Sequence, residues 1–300
     1  MASQSGVIAL KRGGKAPQYR NLTLLLGTFD GVHLGHRELI KRAKLEADGP
    51  IGVLLFSEPP SKVLLLGKPC EVLTSLEDKT RIFLNEGVDL VFTIESDRMF
   101  FSMGKEDFIE NVLAPLNPKR LIVGEDYTFG RNAEGKPGDL EGRFEVIEVP
   151  LLEMNGRKVS SSYIKKLIAD GDIKEANAEL GRPYEIVGKV VHGLSNGHKI
   201  GFPTANLSLI DDYVLPRTGA YKGLVYSRGR PYWAIVNVGR NPTVGKLRED
   251  IVECHLKGFS EEIYGETLYV EFHEFLRPEK KFGSLDALKR QLQEDIASLD

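Results

Sequence analysis

The chain is 300 residues long and 41% hydrophobic, more than one compact domain usually holds and enough to bury a core in each of two. Its 40 basic and 43 acidic residues leave a net charge of -3, so no broad basic face is on hand to follow a nucleic-acid backbone, and nucleic acid is not an expected partner. The opening MASQSGVIALKRGGKAPQYR has no sustained apolar core and no later run is long enough to span a bilayer, which predicts neither export nor a membrane partner.

The first twenty residues read either as a disordered extension or, at Val7 to Leu10, as a strand able to pair with a sheet edge. Strand-like and helical runs then alternate: Leu22 to Gly27 and Gly35 to Ala47, Ile51 to Phe56 and Leu76 to Asn85, Val88 to Ile94 and Lys105 to Leu113, then Leu121 to Gly124. Near-continuous apolar strands with helical crossovers predict a doubly wound, Rossmann-like parallel sheet covered on both faces, with a ligand crevice at the carboxyl ends of its strands. The loops after Gly27 and Gly124 are therefore the ones to watch. A helical stretch from Ser161 to Leu180 stops at Gly181-Arg182-Pro183, which sets the expected domain junction, residues 1–182 and 183–300.

Beyond the junction the pattern changes to short strands between Gly, Pro and Asn turns: Glu185 to His192, Tyr221 to Tyr226, Tyr232 to Val238, Ile251 to Lys257 and Leu268 to Phe275. They predict an antiparallel β-barrel. Ser284 opens a last helix whose Leu285, Leu288, Leu292, Ile296 and Leu299 share one apolar face, suited to packing on that barrel. The two cysteines, Cys70 and Cys254, fall on either side of the junction, have no partner pair at zinc-finger spacing, and are expected to be reduced.

Two imidazoles meet in Gly27-Thr28-Phe29-Asp30-Gly31-Val32-His33-Leu34-Gly35-His36, where the first expected strand feeds the first helix and free backbone N–H groups favour an anion. His33 and His36 are three apart, on one side of the first helical turn, and Gly35 between them lets a phosphate approach the backbone. Such a sequence by itself reads equally as a helix cap; its position in a doubly wound sheet favours a polyphosphate. Val123-Gly124-Glu125-Asp126-Tyr127-Thr128-Phe129-Gly130 offers a carboxylate, two rings and bracketing glycines to a flat heteroaromatic ligand, and Ser160-Ser161-Ser162-Tyr163-Ile164-Lys165 offers hydroxyls and a charge for capping or phosphate. Each of these two, taken alone, reads first as a turn or a cap.

From Leu22 to Arg182 the chain resembles the FMN adenylyltransferase module of bacterial bifunctional riboflavin kinase/FAD synthetases. Gly27 to His36 matches that family's ATP-binding G-x-F-D-G-x-H-x-G-H, Val123 to Gly130 its flavin-side V-G-x-D-F-x-F-G, and Ser160 to Lys165 its phosphate-binding S-S-T-x-I-R. The resemblance implies ATP contacts at Gly27, Phe29, Asp30 and Gly35, flavin contacts at Asp126 and Phe129, and phosphate contacts at Ser160, Ser161, Ser162 and Lys165. His33 and His36 would stabilise the transition state and the departing pyrophosphate, Asp30 would position, and Mg²⁺ would bridge the phosphates. Two positions depart from the pattern: Phe56-Ser57-Glu58-Pro59-Pro60 lacks the His of F-x-P-H-P, and Lys165 replaces an Arg, keeping the charge without the bidentate fork.

In the second half, Gly193 to Asn206 is rich in residues that expose backbone N–H groups, and Thr204 and Asn206 offer two oxygens to a Mg²⁺ beside an ATP phosphate. Strand alternation puts Val252, Cys254 and Leu256 on one face and Glu253 with His255 on the other, so Glu253 is either a solvated carboxylate or a general base for a hydroxyl. From Pro183 to Asp300 the chain resembles the riboflavin kinase module of the same family. Gly197 to Asn206 fits G-x-x-x-G-F-P-T-A-N, including Gly197, Gly201 and Pro203, and Gly219-Ala220-Tyr221 fits G-V-Y. Val236 to Thr243 fits N-x-G-x-x-P-T, Val252 to Leu256 V-E-x-H-L, and Leu276 to Phe282 L-R-x-E-x-K-F, while Lys257-Gly258-Phe259 lacks the acidic residue that commonly precedes the Phe. The resemblance implies Mg²⁺ at Thr204 and Asn206, Glu253 as base toward the ribityl terminal hydroxyl, and Arg277 in a flexible flavin-site segment.

Both resemblances together imply a cytoplasmic enzyme, monomer or weak homo-oligomer, that uses ATP and Mg²⁺ to phosphorylate riboflavin to FMN and to adenylylate FMN to FAD. Glu253, Thr204 and the two histidines weigh against the alternative of a flavin carrier without catalysis.

Overall fold

The computed structural model describes residues 6–11, 14–64, 70–192, 204–241, 249–280 and 284–299. They fall into two compact units, Met1–Cys70 with Thr74–Ser161, and Glu71–Leu73 with Ser162–Asp300.

The first unit is built on a six-stranded sheet in the order β1-β4-β3-β2-β5-β6, made of β1 (Gly6–Leu10), β2 (Thr23–Leu26), β3 (Ile51–Phe56), β4 (Leu90–Ile94), β5 (Arg120–Gly124) and β6 (Glu145–Val149). Every neighbouring pair is parallel. The central strands are mostly apolar because both faces are covered. Leu24, Leu26, Leu54, Phe92 and Leu121 pack on one side, and Leu25, Val53, Leu55, Val91 and Ile122 on the other, each buried side chain contributing roughly 1.5–3 kcal/mol. Between the strands run α1 (Leu34–Glu46), α2 (Pro60–Leu64), α3 (Leu76–Asn85), α4 (Arg98–Phe101), α5 (Lys105–Phe108) and α6 (Ala114–Leu116), with a π-helical turn over Ile109–Leu113 joining the last two. A capping box opens α3: Ser75 Oγ accepts from the Asp78 amide and Asp78 Oδ2 from the Ser75 amide, both at 3.0 Å.

Val7 to Leu10 therefore belongs to an edge strand, and the run from Leu22 is the second strand of the sheet. The winding reverses between β2 and β5, which are neighbours although β3 and β4 separate them in the chain. That reversal brings the loops after Gly27 and Gly124 to one crevice, as doubly wound sheets require.

In the second unit, the helical stretch read from Ser161 to Leu180 is two helices, α7 (Ser161–Asp170) and α8 (Ile173–Leu180), divided at Gly171, whose φ of 83° an L side chain resists. Asn177 ties α8 to the strands beside it: its Nδ2 donates to the Phe272 carbonyl (2.8 Å) and its Oδ1 accepts from the Tyr184 amide (2.7 Å). Six antiparallel strands close a barrel in the order β10-β13-β12-β11-β14-β9, namely β9 (Tyr184–Val191), β10 (Ala205–Leu209), β11 (Gly219–Ser227), β12 (Arg230–Asn241), β13 (Glu249–Leu256) and β14 (Thr267–Arg277). A two-stranded hairpin of β7 (Glu153–Met154) and β8 (Arg157–Lys158) precedes it in the chain and belongs to the first unit. Five barrel strands match those expected; the sixth, β10, was not expected and begins at the end of the glycine-rich run Gly193 to Asn206. The closing helix α9 (Leu285–Ala297) is capped by Ser284, and Ile296 and Leu299 pack with Ala220, Ile235 and Leu276.

Candidate functional site

The chain leaves β2 through a turn that few sequences could hold. Phe29, Gly31 and Val32 have φ of 52°, 82° and 40°, and the left-handed region costs a bulky or β-branched residue on the order of 1–3 kcal/mol. Contacts from outside the turn offset that cost. The Gly31 amide donates to Thr74 Oγ1 (2.9 Å), the Thr74 amide donates to Asp30 Oδ1 (3.2 Å), and Ser161 Oγ donates to the Asp30 carbonyl (2.8 Å). Phe29 is fully buried, edge-on to Phe83 at 5.0 Å and to His36 at 5.2 Å.

The turn delivers His33 as the N-cap of α1, with an extended backbone and no capping bond from its side chain. Its ring instead stacks on His36, centroids 3.7 Å apart and planes 18° apart. Gly35 makes the stack possible, since a Cβ there would lie 3.1 Å from His33 Cε1. The space expected to admit a phosphate over Gly35 is thus occupied, on the Cβ side, by the His33 ring. No acidic residue lies in the first turn of α1, so the positive end of the helix dipole is not neutralised locally and adds to the anion-attracting character of the two imidazoles.

Across the crevice, Asp126 is exposed at the end of β5 and pairs with Lys158. Phe129 is 6% exposed and packs against Tyr127 (5.8 Å) and Phe108 (5.5 Å), so its ring belongs to the sheet's core cluster, and burial pushes the Tyr127 phenol up. In the segment that lacks the expected His, Ser96 ties down the loop after β3, donating to the Glu58 carbonyl and accepting from the Glu58 amide, both at 2.9 Å. Gly27, Phe29, Asp30, His33, Gly35, His36, Ser160 and Ser161 all lie in the first unit. Ser162 and Lys165 group with the second, where Lys165 Nζ donates to the Glu71 carbonyl (2.7 Å). Thr74 and Ser96 lie outside every motif quoted above, and no spacing in the sequence marks them.

In the barrel, a cavity of about 450 Å³ is lined by Val190, Thr204, Cys254, Leu256, Phe259 and Tyr264 among others. Its wall is mostly apolar, with the hydroxyls of Thr204 and Ser260 and the acidic Glu261 and Glu262 also lining it, and its size suits a planar base. Two residues beyond Thr204, Asn206 stands opposite Glu253 in the β10–β13 pair, and Asn237 stands opposite Glu253 from β12. Cys254 is fully buried and its thiol is pushed up by burial, which marks it as core. Glu253 projects the other way and is only partly buried, yet burial still raises its carboxyl above the ordinary range. Phe259, which the sequence marks only through the Lys257-Gly258-Phe259 segment, and Tyr264, which no motif marks, both wall the cavity, and Tyr264 stacks on His192 at 3.9 Å.

Arg277 forks onto Asp295 of α9, Nε to Oδ1 at 3.0 Å and Nη2 to Oδ2 at 2.6 Å. Gly197, Gly201 and Pro203 lie outside the described residues, as do Pro242, Thr243 and Phe282. Among the described residues no group of three or more His, Cys, Asp or Glu could hold a metal. The neutral oxygens of Thr204 and Asn206 fit a hard cation that arrives with phosphates and keeps part of its water, as Mg²⁺ does, better than one needing a full protein cage.

Comparison with known proteins places both halves. The FAD synthetase family profile matches residues 15–163, and the riboflavin kinase profile residues 180–300. A bifunctional riboflavin kinase/FMN adenylyltransferase from Listeria monocytogenes is 37% identical over 284 residues, 92% of this chain and 90% of its own. One from Bacillus subtilis is 35% identical over 282 residues, 91% and 89%. A solved structure from Streptococcus pneumoniae, described as a macrolide-efflux protein, is 34% identical, covers 98% of each chain and superposes with a TM-score of 0.89. Among the described residues here, no helix is long and apolar enough to cross a membrane.

Proposed function

As the chain belongs to the bifunctional riboflavin kinase/FMN adenylyltransferase family, we propose that FMN is adenylylated in the crevice after β2 and that riboflavin is phosphorylated beside Glu253. The enzyme phosphorylates riboflavin to FMN in its C-terminal module and transfers an adenylyl group from ATP to FMN, releasing pyrophosphate, in its N-terminal module. We set the functional division at Arg182/Pro183, close to where the kinase profile begins at residue 180.

Adenylyl transfer needs little help from a base. The FMN phosphate is already largely ionised near neutral pH, so one of its oxygens forms the new bond to the α-phosphorus of ATP while the bond to the pyrophosphate oxygen breaks. His33, His36 and the N-terminus of α1 stabilise the charge that builds on the phosphates, Asp30 holds the turn, and Asp126 faces the flavin with Phe129 supporting its loop from the core.

Phosphorylation differs because an alcohol is neutral at pH 7. Glu253 takes the proton of the ribityl terminal hydroxyl as its oxygen bonds to the γ-phosphorus and ADP departs. The base of ATP occupies the recess walled by Phe259 and Tyr264. Thr204 and Asn206 would hold Mg²⁺, which when bound neutralises charge on the phosphates. The observation that carries this reading is the placement of Asn206 opposite Glu253, two residues from a threonine in the cavity wall. Both cysteines are free thiols, in keeping with the reducing cytoplasm where these small-molecule substrates occur.

Chromatography of the flavins formed from riboflavin, ATP and Mg²⁺ tests the assignment. Wild-type protein yields FMN and then FAD; His36→Ala stops at FMN, and Glu253→Ala makes FAD only when FMN is supplied. Equal loss of both products in either variant would overturn the division of labour.

A further inference from the structure

We propose that Thr74 is a positioning residue for adenylyl transfer, holding the turn that aims His33 and His36 at the phosphates; the proposal rests on the reading of that crevice given above. Thr74 lies between β3 and α3, outside the nucleotide motif, and is 4% exposed. It grips the turn twice, with its hydroxyl on the Gly31 amide (2.9 Å) and its own amide on Asp30 Oδ1 (3.2 Å). The two bonds close a ring through adjacent residues of the turn, so neither Asp30 nor Gly31 can rotate without breaking one.

The position of that grip matters because of what flanks it. Phe29 and Val32 both sit in the left-handed region on either side of Asp30 and Gly31, a conformation that relaxes unless its surroundings over-determine it. One residue after Val32 comes His33, whose ring is stacked on His36 at 3.7 Å and would be in tight contact, at 3.1 Å, with a Cβ at Gly35. The Gly31–Thr74 bond is buried, and the capping box that begins at Ser75 fixes the chain just after Thr74. Thr74 is thus a rigid post set just before the Ser75 cap of α3, and its hydroxyl transmits that rigidity to the imidazoles without touching a substrate.

A positioning role predicts a particular kinetic signature. Moving the imidazoles by a fraction of an ångström weakens contacts made in the transition state more than those made to bound ATP, so kcat falls and KM changes little. Thr74→Val keeps the side chain's size and removes the hydroxyl; its kcat for FAD formation from FMN should fall about 10- to 100-fold, with KM for ATP within about 3-fold. Thr74→Ser restores the acceptor and should recover most of the rate. Riboflavin phosphorylation by the same preparations should be unchanged, which controls for folding of the chain.

The full-length wild type, Thr74→Val and Thr74→Ser are compared in both reactions, and the ¹³C-labelled histidine ring signals are recorded in each. The stack displaces the His33 and His36 ring protons, and that displacement should diminish in Thr74→Val and persist in Thr74→Ser. Equal rates in wild type and Thr74→Val overturn the proposal, as does an equal fall for Val and Ser. If Thr74→Val does not fold, Thr74→Ala takes its place, and unaltered ring signals there overturn the proposal. A wild-type protein that forms no FAD from FMN and ATP would overturn the reading of the crevice, while the ring signals would still decide whether Thr74 sets the imidazoles.

Discussion

Asn206 and Glu253 face one another directly across the β10–β13 pair, and Asn237 takes the equivalent place opposite Glu253 on β12. Alternation puts all three side chains on the face away from Val252 and Cys254. The carboxylate is thus bracketed by two amides, and its raised proton affinity is owed to burial.

That affinity has a kinetic consequence. Only the ionised carboxylate can take a proton, so riboflavin phosphorylation should fall on the acid side with a midpoint above the ordinary glutamate value of about 4.3. Glu253→Gln should lower kcat by about 10²- to 10⁴-fold and abolish that limb. An acid limb unchanged in the Gln variant would assign the base elsewhere.

The same shift has the opposite sign for stability. Because the folded-state pKa is raised, folding is favoured with the proton on, and this benefit disappears as pH rises from the unfolded value through the folded one. Glu253→Gln removes the penalty that remains above that window. Its barrel should melt on the order of 2 °C higher than wild type at pH 7.5 and no higher at pH 4, as read by calorimetry.

Gly35→Ala separates helix propensity from site geometry. Alanine is the better helix former by about 1 kcal/mol, yet its Cβ would stand 3.1 Å from His33 Cε1. The His33 ring must then give by a few tenths of an ångström, and FAD formation should fall at least about 10-fold while riboflavin phosphorylation holds. Undiminished adenylyl transfer would show that the stack is dispensable.

The Arg277–Asp295 fork joins β14 to α9 with Asp295 almost wholly buried. Removing one charge leaves the other stranded, so Asp295→Asn should cost about 3–5 kcal/mol, measured as a lower denaturation midpoint. A variant as stable as wild type would mean that the fork is solvated.

Much of the sheet was legible because its strands are apolar and its helices amphipathic, as Leu76–Asn85 shows, where expected and observed bounds coincide. Strand β6 was not, since Glu145-Val146-Ile147-Glu148-Val149 is partly exposed and earns its place by pairing with β5. Strand β10 was hidden by its brevity and by the glycine-rich run before it. The histidines, Glu253, Thr204 and Asn206 stand out as candidates by residue type and position, and the family resemblance is what gives them roles. Thr74 and Tyr264 do not, because their relevance arises from contacts with residues distant in the chain.

Strand β10 does a second service beyond carrying Asn206. Its five residues are the stave that completes the cylinder, hydrogen-bonding to β9 on one flank and β13 on the other. Were it to peel away, two bare rims would be left open to pairing with another copy. Damage to this strand therefore threatens solubility as well as turnover, and the chain cannot lose its grip on one without hazarding the other.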